Sequence, residues 1–568
     1  MIENKDINTY NLFMLKVIKN TKINWWKTAF ITFVALYALT MLIKPNFGGP
    51  QDDFMLLRTI QNGIPILYYT NPPPGFPIGD VTKLGRFTVL GIMEYNLLTF
   101  FFKSPSAFWY FLFHAFEYVL LMALFAQILS KFTSNKILIY LTPIIFSLFP
   151  GTALTFFRTH LVERNVIFYY AIFLYFFLKY TEKPKLYYLV LGVIGANMAI
   201  HYKEIGFIAV GAFAFFHLIL SWKKSGRGLK IFDGLVLLGC LAYLLLYYFI
   251  VFIHLPPHPH LYGQTPYSLL TVIVKLLLNY GFFSDPILIF ILLPFTAWRI
   301  YKALRKKLEL HPVYDSMLIA ASMYVFSYFT LKMFSPYYLV PAYIFALPPL
   351  IYFFSQKEAR TIFWKSAAGL CGGLLIFNVF PAGMHYLTYY KYLPLNFNKT
   401  LDFLIQDINY RYPNKRASIF IDGVDPSTGG GIYFMDAEFL QYKGLSWTRF
   451  DLKSDVKIRD AFLENIKNFN VPFSVFQDKF SKISKGDYLI VTPRGTTKNI
   501  DEAYIKSLEK DYDLVFRTKS PLAFPSFDLK TLAKYILSKN TSQTEREKGL
   551  MINENLMNWP DYYVFIKR

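Results

Sequence analysis

The strongest constraint on this chain is the spacing of its apolar runs. Stretches near 28 to 43, 106 to 129, 137 to 156, 165 to 178, 186 to 200, 205 to 221, 231 to 253, 285 to 301, 314 to 331, 337 to 354 and 366 to 380 can each serve as a helix through a bilayer. A hydrocarbon core takes about 20 apolar residues of upright helix. Several runs are shorter, so about eleven spans are expected, with an error of one or two. The polar segments between the runs alternate in charge. Basic residues collect before the first run (Lys16, Lys19, Lys22, Lys27) and then in every second loop: Lys131 and Lys136; Lys179, Lys183 and Lys185; Lys223, Lys224, Arg227 and Lys230; Arg299, Lys302, Arg305, Lys306 and Lys307; Lys357, Arg360 and Lys365. With the N-terminus cytoplasmic, every cluster faces the cytoplasm, and an odd number of spans leaves everything after about Phe380 outside. No small-residue cleavage pattern follows the first run, which reads as an uncleaved anchor. The expectation is a mainly α-helical, multi-pass protein of the plasma (inner) membrane.

Composition agrees. Of 568 residues, 54% are hydrophobic and 19% aromatic, and the mean hydropathy is +0.32, unlike an ordinary soluble enzyme. A formal charge of +22 could suit nucleic acid, but the cations sit in short clusters between apolar runs, where they meet anionic lipid. No nucleic-acid partner is expected. Cys240 and Cys371 both lie inside apolar runs, which implies neither a disulfide framework nor a thiolate metal site.

From about 396 the apolar density falls. "ASIFID", "DYLIVTP", "YDLVFRT" and "YYVFIKR" read as short strands, with helical patterns such as "DEAYIKSLEKDY" between them. The chain therefore divides into a transmembrane catalytic domain, 1 to 395, and a soluble extracytoplasmic α/β domain, 396 to 568. Within the first part, 44 to 105 forms a long first outer loop with apolar patches of its own. Pro and Gly punctuate it, which predicts one or two amphipathic helices lying in the interface.

Two adjacent carboxylates, Asp52 and Asp53 in "QDD", open that loop directly after the first run. Alone, such a pair is solvated loop. Its place suggests a task. A sugar on a polyprenyl phosphate carries its own leaving group, so transfer to a hydroxyl lacks only a base, and a neighbouring like charge raises a carboxylate's pKa toward that role. Of the two, Asp53 adjoins the apolar "FMLL" and is the favoured base. The departing phosphate needs fixed cations.

The acidic pair after the first run, the long loop with "GRF" (Gly85 to Phe87), the aromatic "SPYYLVPAY" (Ser335 to Tyr343) and the external α/β tail together resemble the glycosyltransferase C superfamily. These are integral-membrane enzymes that use lipid-phosphate sugars, here similar to the protein O-mannosyltransferase and lipid A aminoarabinose transferase type. The resemblance implies a GT-C fold, transfer of a hexose or pentose, and a first-loop acid as base or its support, which falls on Asp52 and Asp53. A second-loop acidic motif of the oligosaccharyltransferase kind is not found. No metal ligand is assigned, and a divalent cation stays open as cofactor.

Two polar islands lie at the outer ends of runs. "FFRTHLVERNV" carries Arg158, His160, Glu163 and Arg164, and "AIHYKEIGF" carries His201, Lys203 and Glu204. Charges at membrane depth cost roughly 2.5 to 3.5 kcal/mol each on insertion scales, so they face a cavity or one another. One reading pairs Glu163 with Arg164 or Arg158, and Lys203 with Glu204. The other makes Arg158, Arg164 and Lys203 a cradle for the donor phosphate, joined by Arg86 and Lys332, with His160, Glu163, His201, Glu204, Tyr337 and Tyr338 in support. Two further features read as structure. His254, His258 and His260 are separated by prolines that forbid a helical ligand face, so a chamber-covering outer loop is favoured over zinc. Gly429 to Gly431 lack the Lys and Ser or Thr of a P-loop and read as a turn.

The expected function is transfer of a sugar from a polyprenyl-phosphate donor to a cell-envelope glycan, lipid or protein acceptor at the outer face. The alternatives are a glycan polymerase or ligase and a transporter or flippase of lipid-linked saccharides. The last predicts charges at mid-span and matching halves, whereas the spans are mostly uncharged inside, the polar islands sit at outer ends and no halves match.

Overall fold

In a computed structural model of the protein the described residues are 24 to 48, 87 to 91, 93 to 102, 106 to 159, 161 to 254, 268 to 356, 361 to 423, 433, 436 to 454, 481 to 493, 500 to 522 and 559 to 568. Every one of the eleven apolar runs is helical. In chain order the helices are α1 (Trp25–Leu42), α2 (Met93–Phe102), α3 (Ala107–Leu129), α4 (Lys136–Ser147), α5 (Pro150–Phe157), α6 (Glu163–Glu182), α7 (Leu186–Tyr202), α8 (Gly206–Ser221), α9 (Arg227–Ile250), α10 (Leu269–Ser284), α11 (Ile287–Leu304), α12 (Pro312–Thr330), α13 (Ala342–Ser355), α14 (Ile362–Arg411) and α15 (Glu502–Leu508). By length and composition five of them, α1, α3, α9, α11 and α14, can cross a membrane, or six if α4 and α5, bent by 65° at their junction, act as one. Helices α7, α8, α10 and α13 are apolar but shorter.

Two elements differ from the sequence reading. Helix α10 occupies part of the stretch taken as an outer loop; Lys275 and Asn279 interrupt its apolar run and hid it. Helix α14 runs unbroken from Ile362 to Arg411, 50 residues, about 75 Å at the helical rise. It passes straight through the expected boundary at 395 and carries the chain from the helical bundle into the sheet.

Close packing sets the bend between α4 and α5. Pro150 starts α5 at a position that needs no donor. Helix α14 crosses the bend at Gly383, where an added Cβ would lie 1.8 Å from the carbonyl oxygen of Leu148. At the end of the bundle with the basic loops, buried charges are held in pairs. Asp315 takes Nε and Nη2 of Arg299 at 2.5 and 2.8 Å, and His217 Nδ1 meets Asp233 Oδ2 at 2.7 Å.

The sheet has the order β2-β1-β3-β5-β4, built from β1 (Ala417–Ile421), β2 (Phe450–Lys453), β3 (Tyr488–Val491), β4 (Tyr512–Arg517) and β5 (Tyr563–Lys567). Strands β2, β1 and β3 are parallel; β5 is antiparallel to β3 and β4. Alternate side chains split between two layers. Ile419, Ile421, Tyr488, Ile490, Val564 and Ile566 join the core that is continuous with the bundle. Phe420, Leu489, Val491, Tyr563 and Phe565 pack with Ile505 of α15.

Hydrogen bonds along α14 orient this sheet. Asn396 Nδ2 donates to Pro560 O and Ser520 Oγ at 2.6 and 2.8 Å, just before β5 begins. Farther along α14, Asp407 accepts from the Tyr488 hydroxyl at the start of β3, at 2.7 Å. Strand β5 therefore runs with α14, away from the bundle. Strand β3, and β1 and β2 with it, run back, so their carboxyl ends point at the bundle.

Candidate active site

The end of the bundle beneath the sheet gathers the two polar islands. Arg158 caps the C-terminus of α5 and is buried. Its guanidinium lies 5.9 Å from the ring centre of Tyr390 on α14. Lys203, at the C-terminus of α7, forms an ion pair with Glu163 at the start of α6 and lies 4.9 Å over the Tyr338 ring. Tyr338 stacks on Tyr328 at 4.8 Å and adjoins Tyr337. Glu163 and Arg158 both act electrostatically on the Tyr337 hydroxyl. Arg158, Lys203, Glu163, Tyr337 and Tyr338 thus share one electrostatic neighbourhood. Lys332 sits in the same α12–α13 turn with a left-handed φ of +51°.

Arg164 is placed differently. Wholly buried, it pairs with Glu94 of α2 and, through Nε at 2.7 Å, with Glu117 of α3. Asn165 Nδ2 donates to Glu94 Oε2 at 2.5 Å and to Glu117 Oε1 at 3.2 Å. Helix α2 is the returning end of the first loop, and it is bolted to α6 by this cluster. Glu204 and His201 do related work. Glu204 Oε1 accepts from the Phe87 amide at 3.1 Å, the His201 carbonyl accepts from Leu90 N at 3.0 Å, and the Tyr243 hydroxyl donates to Phe87 O at 2.8 Å. The phenylalanine of "GRF" is therefore held from both its amide and its carbonyl.

The leaving end of the same loop is held too. Lys391 of α14 donates to the Ile43 carbonyl and Asn398 Nδ2 to the Phe47 carbonyl at 2.5 Å. Gly48, at φ +98°, is squeezed between Phe397 and Phe439, where a Cβ would lie 2.8 and 2.9 Å from their rings. Asp52, Asp53, Arg86 and His160 lie outside the described residues, as do Gly429 to Gly431, His258 and His260. Among the described residues no group of three metal-ligating side chains comes together.

Two sets of residues escaped the sequence reading. Glu94 and Glu117, each a lone acid in an apolar run, are the partners of Arg164. The second set is His385, Tyr386, Tyr389 and Tyr390 in "HYLTYYKY", which fall on one face of α14 by their i, i+4 spacing and are buried at the site. That spacing was the available signal.

No family model matches the chain, and no curated protein matches it. Among solved structures it is similar to the archaeal oligosaccharyltransferase AglB from Archaeoglobus fulgidus, solved in complex with an inhibitory peptide and a dolichol-phosphate. The match has 10% identity and covers 96% of this chain and 89% of that one. Its TM-score is 0.39, below the level at which a likeness bears on function.

Proposed function

We propose that this chain is a multi-pass membrane glycosyltransferase that moves a sugar from a polyprenyl-phosphate donor to a hydroxyl-bearing acceptor at the sheet-side face, which the charge asymmetry of the loops puts outside the cytoplasm. The observation that carries the reading is the convergence at that face. Arg158, Lys203, Tyr337, Tyr338 and Tyr390 meet beneath the sheet, and both ends of the acid-bearing loop are tied around them.

In this reading Arg158 is the principal phosphate ligand. Its planar fork suits phosphate oxygens, and the Tyr390 ring lies 5.9 Å from it. Lys203 and Lys332 add charge where the negative phosphate departs, and Arg86 joins them from the loop. Asp53, supported by Asp52, takes the proton of the acceptor hydroxyl as that oxygen attacks the anomeric carbon and the phosphate leaves. A single displacement of this kind inverts the anomeric configuration. Arg164, with two carboxylates already on it, serves the scaffold.

The test is transfer of label from radiolabelled polyprenyl-phosphate sugars by purified protein in membrane extract. Wild type should release the label from lipid, and the Asp52→Asn, Asp53→Asn double variant should not. Retention of label by the wild type with every donor, while labelled lipid crosses reconstituted vesicles, would replace the transferase reading with a flippase.

A further inference from the structure

The helix at 436 to 442 lies against α14 in a definite register. Phe439 meets Phe397 with ring centres 5.2 Å apart, and Lys443 Nζ meets Asp402 Oδ1 at 2.6 Å. Both contacts advance together, so the two helices run in the same direction. Asp436, one turn before Phe439, falls level with Leu393 and Pro394. That stripe of α14 continues one turn toward the bundle to Tyr390, whose ring centre lies 5.9 Å from the Arg158 guanidinium.

Asp436 is an unusual residue for such a place. It is buried, 5% exposed, and no described residue donates a hydrogen bond to it. Burying a carboxyl without a partner is costly, and burial pushes this one up to about 8. Near neutral pH it is protonated and offers both a donor and an acceptor. The carboxyl ends of β1, β2 and β3 point to the same side, and ligands of open α/β sheets bind beyond such ends.

The step from Tyr390 to the level of Asp436 is one helical turn, about 5.4 Å, which is the depth of a single sugar ring above a phosphate. Resting on the donor reading above, we infer that Asp436 is a sugar-recognition residue: it hydrogen-bonds hydroxyls of the donor sugar whose phosphate lies at Arg158. The C-terminal unit thereby sets which lipid-linked sugar is accepted.

The experiment is equilibrium binding to full-length protein in nanodiscs of decaprenyl phosphate, decaprenyl-phosphoryl mannose and decaprenyl-phosphoryl glucose. Wild type should bind at least one sugar-bearing lipid about tenfold more tightly than the bare phosphate, the scale of one or two hydrogen bonds to a buried carboxyl. Asp436→Asn and Asp436→Leu should lower that preference to about twofold or less and leave affinity for decaprenyl phosphate unchanged. Both variants should melt at or above the wild-type temperature, since no described partner is lost and the cost of keeping a buried carboxyl protonated is removed. Arg158→Gln should weaken all three ligands. If the Asp436 variants keep the preference, the assignment fails while the donor reading stands. It fails equally if wild type shows no preference, and binding of none of the three lipids would sink both.

Discussion

Arg164→Gln separates the scaffold from the site. The guanidinium is wholly buried between Glu94 and Glu117, so its removal leaves two carboxylates facing each other with only the Asn165 amide to share. Breaking a buried ion pair from one side costs roughly 3 to 5 kcal/mol, because the remaining charge stays desolvated. Unfolding entropy of about 2.1 cal/mol/K per residue gives about 1.2 kcal/mol/K over the chain, so the melting temperature should fall by about 2 to 4 °C. The triple variant Arg164→Gln, Glu94→Gln, Glu117→Gln removes every charge and should recover most of the loss, since a neutral replacement of a whole buried cluster is nearly neutral in stability. Fluorescence-detected melting in detergent, beside decaprenyl phosphate binding at a temperature where all variants are folded, reads both effects. The single variant should melt early and bind normally. A wild-type melting point in the single variant, or a triple variant less stable than the single one, would refute the cluster as a bolt. Lost binding in a variant that melts normally would return Arg164 to the phosphate cradle.

Other perturbations test other levels. Asp53→Asn should lower turnover about a hundredfold with insertion intact, the scale of a general base; transfer rates at wild-type level in both Asp52→Asn and Asp53→Asn would remove the assignment. Gly383→Ala must push a Cβ against the Leu148 carbonyl and should cut the folded yield, whereas Gly234→Ala, with nothing within 4 Å, should match wild type or exceed it slightly. Asp436 has a raised folded pKa, so the folded state holds its proton longer than the unfolded chain. Stability should therefore fall as pH rises from the unfolded value of about 3.9 through about 8, and Asp436→Asn should flatten a melting profile between pH 5 and 8.5; parallel profiles would contradict it. A cysteine at the exposed Lys510 should react with an impermeant thiol reagent in intact cells, because Cys240 and Cys371 are buried, and labelling only after lysis would reverse the topology.

What could be read in advance followed from signals carried by consecutive residues. The apolar runs became helices because sustained hydrophobicity needs no partner to be recognised, and β1, β3, β4 and β5 fall on the four quoted strand segments. Strand β2, four residues of "FDLK", is too short to alternate visibly and exists through its pairing with β1. The islands were visible as charge at helix ends, but their pairing was not. Lys203 takes Glu163, 40 positions away, in preference to its neighbour Glu204. Arg164 takes Glu94 and Glu117 from two other helices. Such choices are made by packing, which no local window contains.

The same pairings bear on how a loop as long as 44 to 105 would serve the proposed site. A free loop of that length would dilute any base it carries, because closing it on the site costs conformational entropy at each turnover. Here the described ends of the loop are fixed on folding. One end is fixed to α14 by Lys391, Asn398 and the packing of Gly48, and the other to α6, α7 and α9 through Glu94, Glu204, the His201 carbonyl and Tyr243. Among the cations that looked like ligands, Arg164 and Lys203 hold carboxylates, and Arg164, together with Glu204 from the second island, ties down the returning end of that loop. Loss of Glu94 or Glu204 should accordingly lower turnover without touching substrate, by loosening the loop to which the proposed base belongs.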